Sequence, residues 1–293
     1  MERSLRWTKP SEWCRLATVR LAWAYAFHRY VDISCAAYED GKVICRLNAS
    51  RNPIQDTVQN SVRTFIPDFL LFRSITVGIH SVDATATLYA FKHACIPSVN
   101  SIDSIILSIA RPVMYGELRR VMNEQGGRKE FPLIPQTYYA KYSNMIITPD
   151  LPFVVKVGGA HAGYGKIKVT SAPLFDDVKS IVALHGDYST AEPFVDWDYD
   201  YRIQKIGCHV RAYRRQVSQA TQWKGNVGNA IIEEIDVEPR WLRWVNAAAG
   251  CFGGIDILAL DLVRNRVSGE EFILEVCCHR CLEPDSRADL CGN

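Results

Sequence analysis

The stretch from Val154 to Val169, VVKVGGAHAGYGKIKV, carries the clearest chemical pattern in the chain. A strand-like segment with Lys156 enters a loop that contains four glycines, and a second strand-like segment begins with Lys166. Glycine lets backbone N–H groups approach phosphate oxygens, and two lysines at the base of such a hairpin supply point charges. The stretch therefore suits phosphate binding, although taken alone it is more typical of a glycine-rich hairpin with solvated lysines.

Two common phosphate-binding motifs do not match this stretch. In a Walker A loop that ended at Lys166, the first glycine would be Ala160, and Ile167 stands where a Ser or Thr would bind Mg²⁺. A dinucleotide fingerprint needs a helix after its glycine loop, whereas a second strand follows here. Both of these nucleotide-binding classes are therefore excluded.

Two carboxylates lie further along the chain in apolar, strand-like segments: Asp261 in ALDLV and Glu275 in FILEV. Mg²⁺ or Ca²⁺ held against a triphosphate takes one or two carboxylate ligands, and arginine or lysine side chains can neutralise the remaining phosphate charge. Each such residue alone is typical of a solvated strand end. The ordered set of lysines, glycines and carboxylates is more specific.

The segments that carry this set resemble the central domain of the synapsins, within the ATP-grasp superfamily. The resemblance extends from about Pro67 to Val276 and rests, in order, on IPSVNS, FPLIPQTYY, VVKVGGAHAGYGKIKV, TAEPFVDWDYDYRIQKIG, RAYRR, WKGNVGNA, RWLRWV and FGGIDILAL. It implies an α/β plus α+β fold, in which a parallel α/β pre-ATP-grasp domain precedes an ATP-grasp domain. It also implies ATP and a divalent cation, Ca²⁺ or Mg²⁺, as ligands.

The resemblance carries specific residues over to this chain. Lys156 would reach the α-phosphate side of ATP, and Lys166 would close the glycine loop over the phosphates. A hinge at 192–195 would face the adenine, and Lys224 would approach the terminal phosphates. The implied ATP-binding residues are Arg111, Lys156, Gly163, Gly165, Lys166, Glu192, Pro193, Phe194, Val195, Asp200, Arg202 and Lys224, and the implied cation ligands are Asp261 and Glu275.

Three positions depart from the family pattern. The family has Lys where this chain has Arg111, and Glu where this chain has Asp261. Active ATP-grasp enzymes place an Asn two residues after their last metal-binding Glu, and that position is Cys277 here. The shorter Asp261 reaches less far, and Arg111 keeps the charge of the family's Lys but not its point geometry. The departure at Cys277 favours a regulatory protein that binds nucleotide without turnover. An active ATP-grasp ligase or kinase, and a truncated relic without nucleotide binding, are the alternatives.

The pattern of helices and strands divides the chain near residue 110. Before it, short apolar strands alternate with helices expected over Thr57–Phe65 and Asp83–His93, which favours a parallel α/β domain over 1–110. After it, closely spaced strands with helices expected over Asp176–Leu184 and Arg240–Ala249 favour antiparallel sheets over 111–293. The end of this second domain is atypical from residue 277.

Composition and charge constrain the partners. The formal net charge is +2, with 23% charged residues, and neither half carries the dense basic stripe of nucleic-acid-binding proteins, so we expect no nucleic acid. The resemblance implies the membrane of synaptic vesicles as a peripheral partner, the actin cytoskeleton, and self-association into a homo-oligomer. It also implies a cytoplasmic, presynaptic location and a role in regulating neurotransmitter release.

Cysteines cluster at the end of the second domain, at Cys277, Cys278 and Cys281 with His279 between them. Structural zinc sites usually pair two ligand-bearing turns across an intervening loop, and only one compact cluster is present here. A zinc site is one interpretation, and a cysteine-rich tail without metal is the favoured one.

Overall fold

The computed structural model describes residues 21–23, 31–37, 43–49, 61–65, 67–71, 85–146, 149–160, 164–217, 223 and 230–278. The chain forms two compact units. The first combines Met1–Phe72 with Thr87–Val99, and the second combines Arg73–Ala86 with Asn100–Asn293. The chain therefore passes between the units at three points, the last between Val99 and Asn100, and the sequence pattern predicts a boundary near residue 110.

The described part of the first unit contains two small sheets. Its described elements are β1 (Leu21–Trp23), β2 (Val31–Ala37), β3 (Val43–Ala49), β4 (Ser61–Phe65), β5 (Phe69–Leu71), α1 (Thr85–His93) and β6 (Ser98–Val99). Strands β1, β5 and β6 form a parallel sheet, as the alternation of short strands and helices predicts. Strands β2, β3 and β4 form an antiparallel sheet.

The helix predicted over Thr57–Phe65 is wrong in its described part, because Ser61–Phe65 is strand β4. The segment SVRTF combines β-branched and aromatic residues, which favour a pleated strand. Its hydrogen-bond partner is β3, from Ala49 back to Cys45. A helical pattern read from local sequence cannot include that partner. The helix predicted over Asp83–His93 is confirmed from Thr85 onward.

The second unit contains the longer elements. In chain order they are α2 (Ile102–Ile109), α3 (Arg111–Glu124), β7 (Thr137–Tyr139), β8 (Phe153–Val157), β9 (Lys166–Val169), α4 (Ala172–His185), β10 (Ser189–Pro193), β11 (Trp197–Ile206), β12 (His209–Val217), β13 (Ala230–Ile235), α5 (Pro239–Ala248), β14 (Ile257–Asn265) and β15 (Glu271–Cys277). No described helix is both long and apolar enough to cross a membrane.

A four-stranded antiparallel sheet, in the order β7-β10-β8-β9, packs one face against α4. Phe153, Val155 and Val157 of β8 share a buried cluster with Phe175 and Val178 of α4. Ser171 caps the N-terminus of α4 by accepting a hydrogen bond from the N–H of Leu174. Because side chains alternate along a strand, the intervening residues of β8 face the other side of the sheet.

A five-stranded antiparallel sheet, in the order β13-β12-β11-β14-β15, forms the larger core with α3 and α5. Leu258, Leu260 and Leu262 of β14 lie on the face that packs against Trp241 and Val245 of α5. The alternate residues of β14 point to the opposite face. The antiparallel sheets predicted for the second half of the chain are therefore confirmed.

Asn100 connects the start of the second unit to the two strands at the edge of this sheet. Its side-chain amide donates to the carbonyls of Ile257 and Cys278, each at 2.7 Å. Its side-chain oxygen accepts from the N–H groups of Asp256 and Ile257, each at 2.9 Å. The residue is 4% exposed, with φ +52°, a left-handed conformation that Asn tolerates better than most residues. One side chain thus fixes the start of β14 and the end of β15.

We expect Asn100→Ala to lower the free energy of unfolding by about 2–4 kcal/mol, because buried backbone groups of two strands lose their partners. Urea unfolding followed by tryptophan fluorescence measures this. The exposed Asn123→Ala on α3 is the matched control and should unfold at nearly the wild-type urea concentration. Equal midpoints for the two variants would show that Asn100 does not hold the strands.

Candidate functional site

Two polar side chains project from the face of the four-stranded sheet that does not contact α4. Lys156 lies between the core residues Val155 and Val157 on β8, and Glu192 follows the core residue Ala191 on β10. Strand alternation therefore places Lys156 and Glu192 on the same face. Lys166 is the register partner of Lys156 on β9 and lies on that face as well.

The polar face of the five-stranded sheet carries a row of charges on neighbouring strands. Asp200 on β11 pairs in register with Arg215 on β12, and Arg202 on β11 pairs in register with Asp261 on β14. All four side chains are buried. The opposite charges therefore face each other across adjacent strands, which is the arrangement that stabilises cross-strand pairs.

A β-bulge turns Glu275 toward this row. Asp261 is paired with Glu275, but Leu262 is paired with Ile273, so Leu274 is an extra residue on β15. Without that extra residue, strict alternation would place Glu275 on the face opposite Leu274. With it, Leu274 and Glu275 line the same cavity, and Val276 returns to the core. A turn at residues 266–270 connects the two strands, and the Asn265 side chain accepts hydrogen bonds from two of its N–H groups.

The polar faces of the two sheets line a cavity of about 720 Å³ that is open to solvent. It brings together nine of the residues predicted from sequence: Lys156, Lys166, Glu192, Pro193, Phe194, Val195, Asp200, Asp261 and Glu275. Gly163 and Lys224 lie outside the described residues. The remaining predicted residues, Arg111, Gly165 and Arg202, are described but do not line the cavity.

Lys156 and Glu192 form a buried ion pair on the floor of this cavity. The Nζ of Lys156 lies 2.5 Å from Oε1 of Glu192, and the two side chains are 3% and 6% exposed. Burial lowers the pKa of Lys156, although Glu192 opposes that shift. Glu192 Oε2 accepts no hydrogen bond from the described part of the chain. This buried acceptor is therefore available to a donor group that enters the cavity.

The row on the five-stranded sheet is held by two arginines. Arg215 Nε donates to Asp200 Oδ1 at 2.5 Å, and Arg202 Nη1 donates to both oxygens of Asp261 at 2.8 and 3.0 Å. Burial raises the pKa of Asp200, and Arg215 only partly offsets that effect. Arg202 thus lies behind Asp261 rather than in the cavity, while Arg215 lines the cavity itself.

Arg111 holds the glycine loop against Glu275. Its Nε donates to the carbonyl of Gly159 at 2.7 Å and its Nη2 to the carbonyl of Ala160 at 3.0 Å, while Nη1 forms an ion pair with Glu275. Although burial opposes the shift, Arg111, Lys166 and Lys156 together hold the pKa of Glu275 well below its usual range. Arg111 therefore acts on the loop and on Glu275, not at the cavity wall.

Gly165 closes the described side of the β8–β9 turn. Its carbonyl accepts a hydrogen bond from the N–H of Val157, and its φ is +68°. A Cβ added at this position would lie 3.2 Å from the carbonyl oxygen of Val157. Glycine is therefore required here by backbone conformation and by the close approach of β8.

Eight residues that line the cavity are not among the site residues predicted from sequence: Ile134, Val154, Trp197, Arg215, Trp223, Leu262, Val263 and Leu274. The ring centroid of Trp223 lies 6.1 Å from that of Phe194, in an edge-to-face arrangement. Lys168 Nζ lies 3.4 Å from the centroid of Phe194 on its ring face. The segment RAYRR contains a signal for Arg215. In a strand, the alternation of side chains places Arg215 on the same face as Tyr213 and on the opposite face from Arg214.

One group of metal-ligating atoms lies beside the cavity within the described ranges. An oxygen of Asp261, an oxygen of Glu275 and the Sγ of Cys277 lie within 4.8 Å of one another. Burial, with the nearby Glu275 and Asp261, raises the pKa of the Cys277 thiol to about 12. Cys278 points the other way, into the hydrophobic core, so the two neighbouring cysteines do not share a site.

The two sheets and the cavity between them define the class of fold. The solved structures that are similar to this chain include three enzymes. The ATP-grasp ligase PsnB complexed with minimal precursor has TM-score 0.54 and 14% identity, covering 85% of this chain and 78% of that one. VanG D-Ala:D-Ser ligase from Enterococcus faecalis has TM-score 0.53 and 16% identity, covering 75% and 66%. The ADP complex of an N5-carboxyaminoimidazole ribonucleotide synthetase has TM-score 0.52 and 14% identity, covering 75% and 55%. The chain has the ATP-grasp fold.

The family follows from sequence. The model of the family described as "Synapsin, ATP binding domain" matches residues 100–284. Synapsin of Drosophila melanogaster is 31% identical over 219 residues, which are 73% of this chain and 21% of that protein. The chain belongs to the synapsin family and spans about a fifth of the length of this relative.

We expect Lys156→Met to destabilise the fold by about 3–5 kcal/mol, because it leaves the Glu192 carboxylate buried without a counter-charge. The double variant Lys156→Met/Glu192→Gln should recover much of that loss, and a double-mutant cycle from urea unfolding measures the coupling. The exposed pair of Arg120 and Glu117 is the control, and Arg120→Met should change stability little. Simple additivity of the two cavity substitutions would contradict the ion pair.

Proposed function

We propose that this chain is a synapsin-type ATP-binding protein that regulates neurotransmitter release by associating, in a nucleotide-dependent way, with synaptic vesicles and with itself. The observation that carries the proposal is the cavity between the two sheets, which is open to solvent and is lined by three cationic side chains together with aromatic and carboxylate groups. These cations are Lys156, Lys166 and Arg215. Membership of the synapsin family supports the identity of the nucleotide as ATP.

The cationic side chains would hold the phosphates. Lys166 lies at the end of the glycine loop and lines the cavity, so its charge can neutralise a phosphate oxygen. Lys156 is already paired with Glu192 and contributes charge from the cavity floor. Arg111 would act indirectly, because it fixes the carbonyls of Gly159 and Ala160 and so sets the position of the loop.

The segment from Glu192 to Trp197 would receive the base. Phe194 and Val195 line the cavity together with Trp197 and Trp223, which gives the apolar and aromatic walls that a purine requires. Glu192 Oε2 is a buried acceptor without a partner among the described residues. An exocyclic amino group could satisfy it, and a buried acceptor left unpaired is costly.

Asp261 and Glu275 would hold a divalent cation beside the phosphates. One oxygen from each lies within 4.8 Å of the other, so a single ion between them can contact both. A bound cation supplies positive charge that neutralises the phosphate groups. The two carboxylates keep their arginine partners on their other side, with Arg202 behind Asp261 and Arg111 beside Glu275.

We propose binding without turnover. Cys277 stands two residues after Glu275, in the cation group, and a thiol is a poor ligand for the hard cations that assist phosphoryl transfer. Similarity of the fold to ligases supports the second candidate, an ATP-grasp ligase. Release of ADP from ATP by the purified chain, stimulated by an amino or carboxyl acceptor, would favour that candidate.

We expect a non-hydrolysable ATP analogue with a divalent cation to raise the melting temperature of the wild-type chain, because a ligand of the native state stabilises it. Lys166→Met should weaken binding of the analogue by about tenfold or more, since about 1.4 kcal/mol of phosphate interaction corresponds to that factor. Isothermal titration calorimetry measures the affinity.

Lys141→Met is the matched control, because Lys141 is exposed and does not line the cavity. It should bind the analogue like the wild type. Absence of any thermal shift at millimolar nucleotide would overturn ATP binding. Equal affinities for the two lysine variants would remove Lys166 from the phosphate site.

Peripheral attachment to vesicles, contact with the actin cytoskeleton, self-association, and a cytoplasmic presynaptic location are parts of the same proposal. They are supported by family membership alone. We expect the chain to float with liposomes that contain anionic lipid at low salt, and less so at high salt, because the attraction is electrostatic. Sucrose-gradient flotation measures this, with neutral liposomes as the control. Recovery in the bottom fraction with anionic liposomes at low salt would count against vesicle binding.

A further inference from the structure

The bulge in β15 places a thiol next to the two carboxylates. After the extra residue Leu274, Glu275 and Cys277 lie on the same face of the sheet as Asp261, while Val276 and Cys278 face the core. Cys277 is paired in register with Ala259. Asp261 is the next residue of β14 on the same face. Backbone geometry therefore brings two oxygens and one sulfur to a single point, within 4.8 Å.

Both carboxylates of this group are already paired with a positively charged arginine. Arg202 donates to both oxygens of Asp261, and Arg111 is paired with Glu275. Hard cations such as Mg²⁺ and Ca²⁺ bind through the charge of their oxygen ligands, so these arginines weaken the attraction. A thiolate bond to a borderline-soft metal has a covalent component and depends less on that charge. The donor set therefore discriminates between classes of cation.

A second observation indicates that the adjoining cavity takes a ligand. Glu192 is 5% exposed and lines the cavity together with Asp261 and Glu275. Its Oε2 is buried and accepts no hydrogen bond from the described residues. A buried acceptor without a donor is a signature of a group that is supplied from outside the chain.

We propose that Asp261, Glu275 and Cys277 form a mixed carboxylate–thiolate site that binds a borderline-soft divalent cation, of the zinc class, in preference to Mg²⁺ or Ca²⁺. The metal–sulfur bond replaces the S–H bond, and the proton passes to solvent. Asp261 and Glu275 each supply one oxygen, and both of these residues also line the cavity. The inference builds on the proposed nucleotide site, because a cation held here would lie beside the phosphates.

Cadmium is the probe, because a cadmium–thiolate bond produces a ligand-to-metal charge-transfer band in the ultraviolet. We expect Cd²⁺ titration of the reduced, chelator-treated chain to give this band, and Zn²⁺ to displace Cd²⁺ while excess Mg²⁺ does not. Cys277→Ser should remove the part of the band that saturates first and weaken Zn²⁺ binding by at least about tenfold. Isothermal titration calorimetry measures that affinity.

Cys278→Ser and Cys281→Ser are the matched controls, because one points into the core and the other tests the cysteine cluster that follows in sequence. Both should keep the high-affinity band. A band that survives Cys277→Ser, or one that is lost in either control, would overturn the mixed site, as would equal affinities for Zn²⁺ and Mg²⁺.

The outcome is separable from the outcome for nucleotide binding. Cadmium and zinc titrations need no nucleotide, so an intact, Cys277-dependent band with no thermal shift on adding the ATP analogue would overturn the proposed function and support the metal site. Binding of the ATP analogue without such a band would support the proposed function and overturn the metal site. Circular dichroism of Cys277→Ser, matched to the wild type, ensures that a lost band reports a lost ligand.

Discussion

Compensation of buried charge is the constraint on which the second unit depends. Glu192, Asp200, Asp261 and Glu275 are removed from most of the solvent between two sheets, and an uncompensated carboxylate there would cost several kcal/mol. Each is matched by a cation on an adjacent strand, on α3 or on the same sheet face. The strands must therefore keep their register, because a slip would separate opposite charges as well as expose the core. The same ion pairs therefore position the cavity side chains and stabilise the fold.

Much of this arrangement follows from sequence by elementary rules. The alternation of apolar and charged residues in VVKV places Lys156 on the face opposite to the helix-packed residues, and the structure has it there. The same alternation in ALDLV places Asp261 on the face opposite to the two leucines beside it. Helices α3 and α5 are marked by proline near their first residue and by their spacing of apolar residues. The resemblance to the synapsins rests on segments that occur in the same order along the chain, and the match to the synapsin family model agrees with it.

The sequence does not disclose the features that depend on partners far along the chain. The extra residue at Leu274 is invisible in FILEV, where simple alternation would put Glu275 and Leu274 on opposite faces. Arg111 is similar: a family-based comparison assigns it to phosphate, but its planar guanidinium finds two loop carbonyls and Glu275, a set that a point-charge lysine could not bridge. The helix prediction at strand β4 is wrong for the same reason, because β3 supplies the hydrogen bonds that make this segment a strand.

The turn between β14 and β15 is a surface loop that nevertheless affects which side chains face the cavity. It lies on the outside of the molecule and holds exposed residues such as Val267, of the kind in which insertions are usually tolerated. Here its length sets which side chains of β15 are presented inward beyond the bulge. A shift of the β15 register by one residue, caused by loss or gain of a residue at 266–270, would exchange Glu275 and Cys277 for Val276 and Cys278. The number of residues in this loop therefore helps to determine which side chains lie on the cavity face, although the loop itself does not line the cavity.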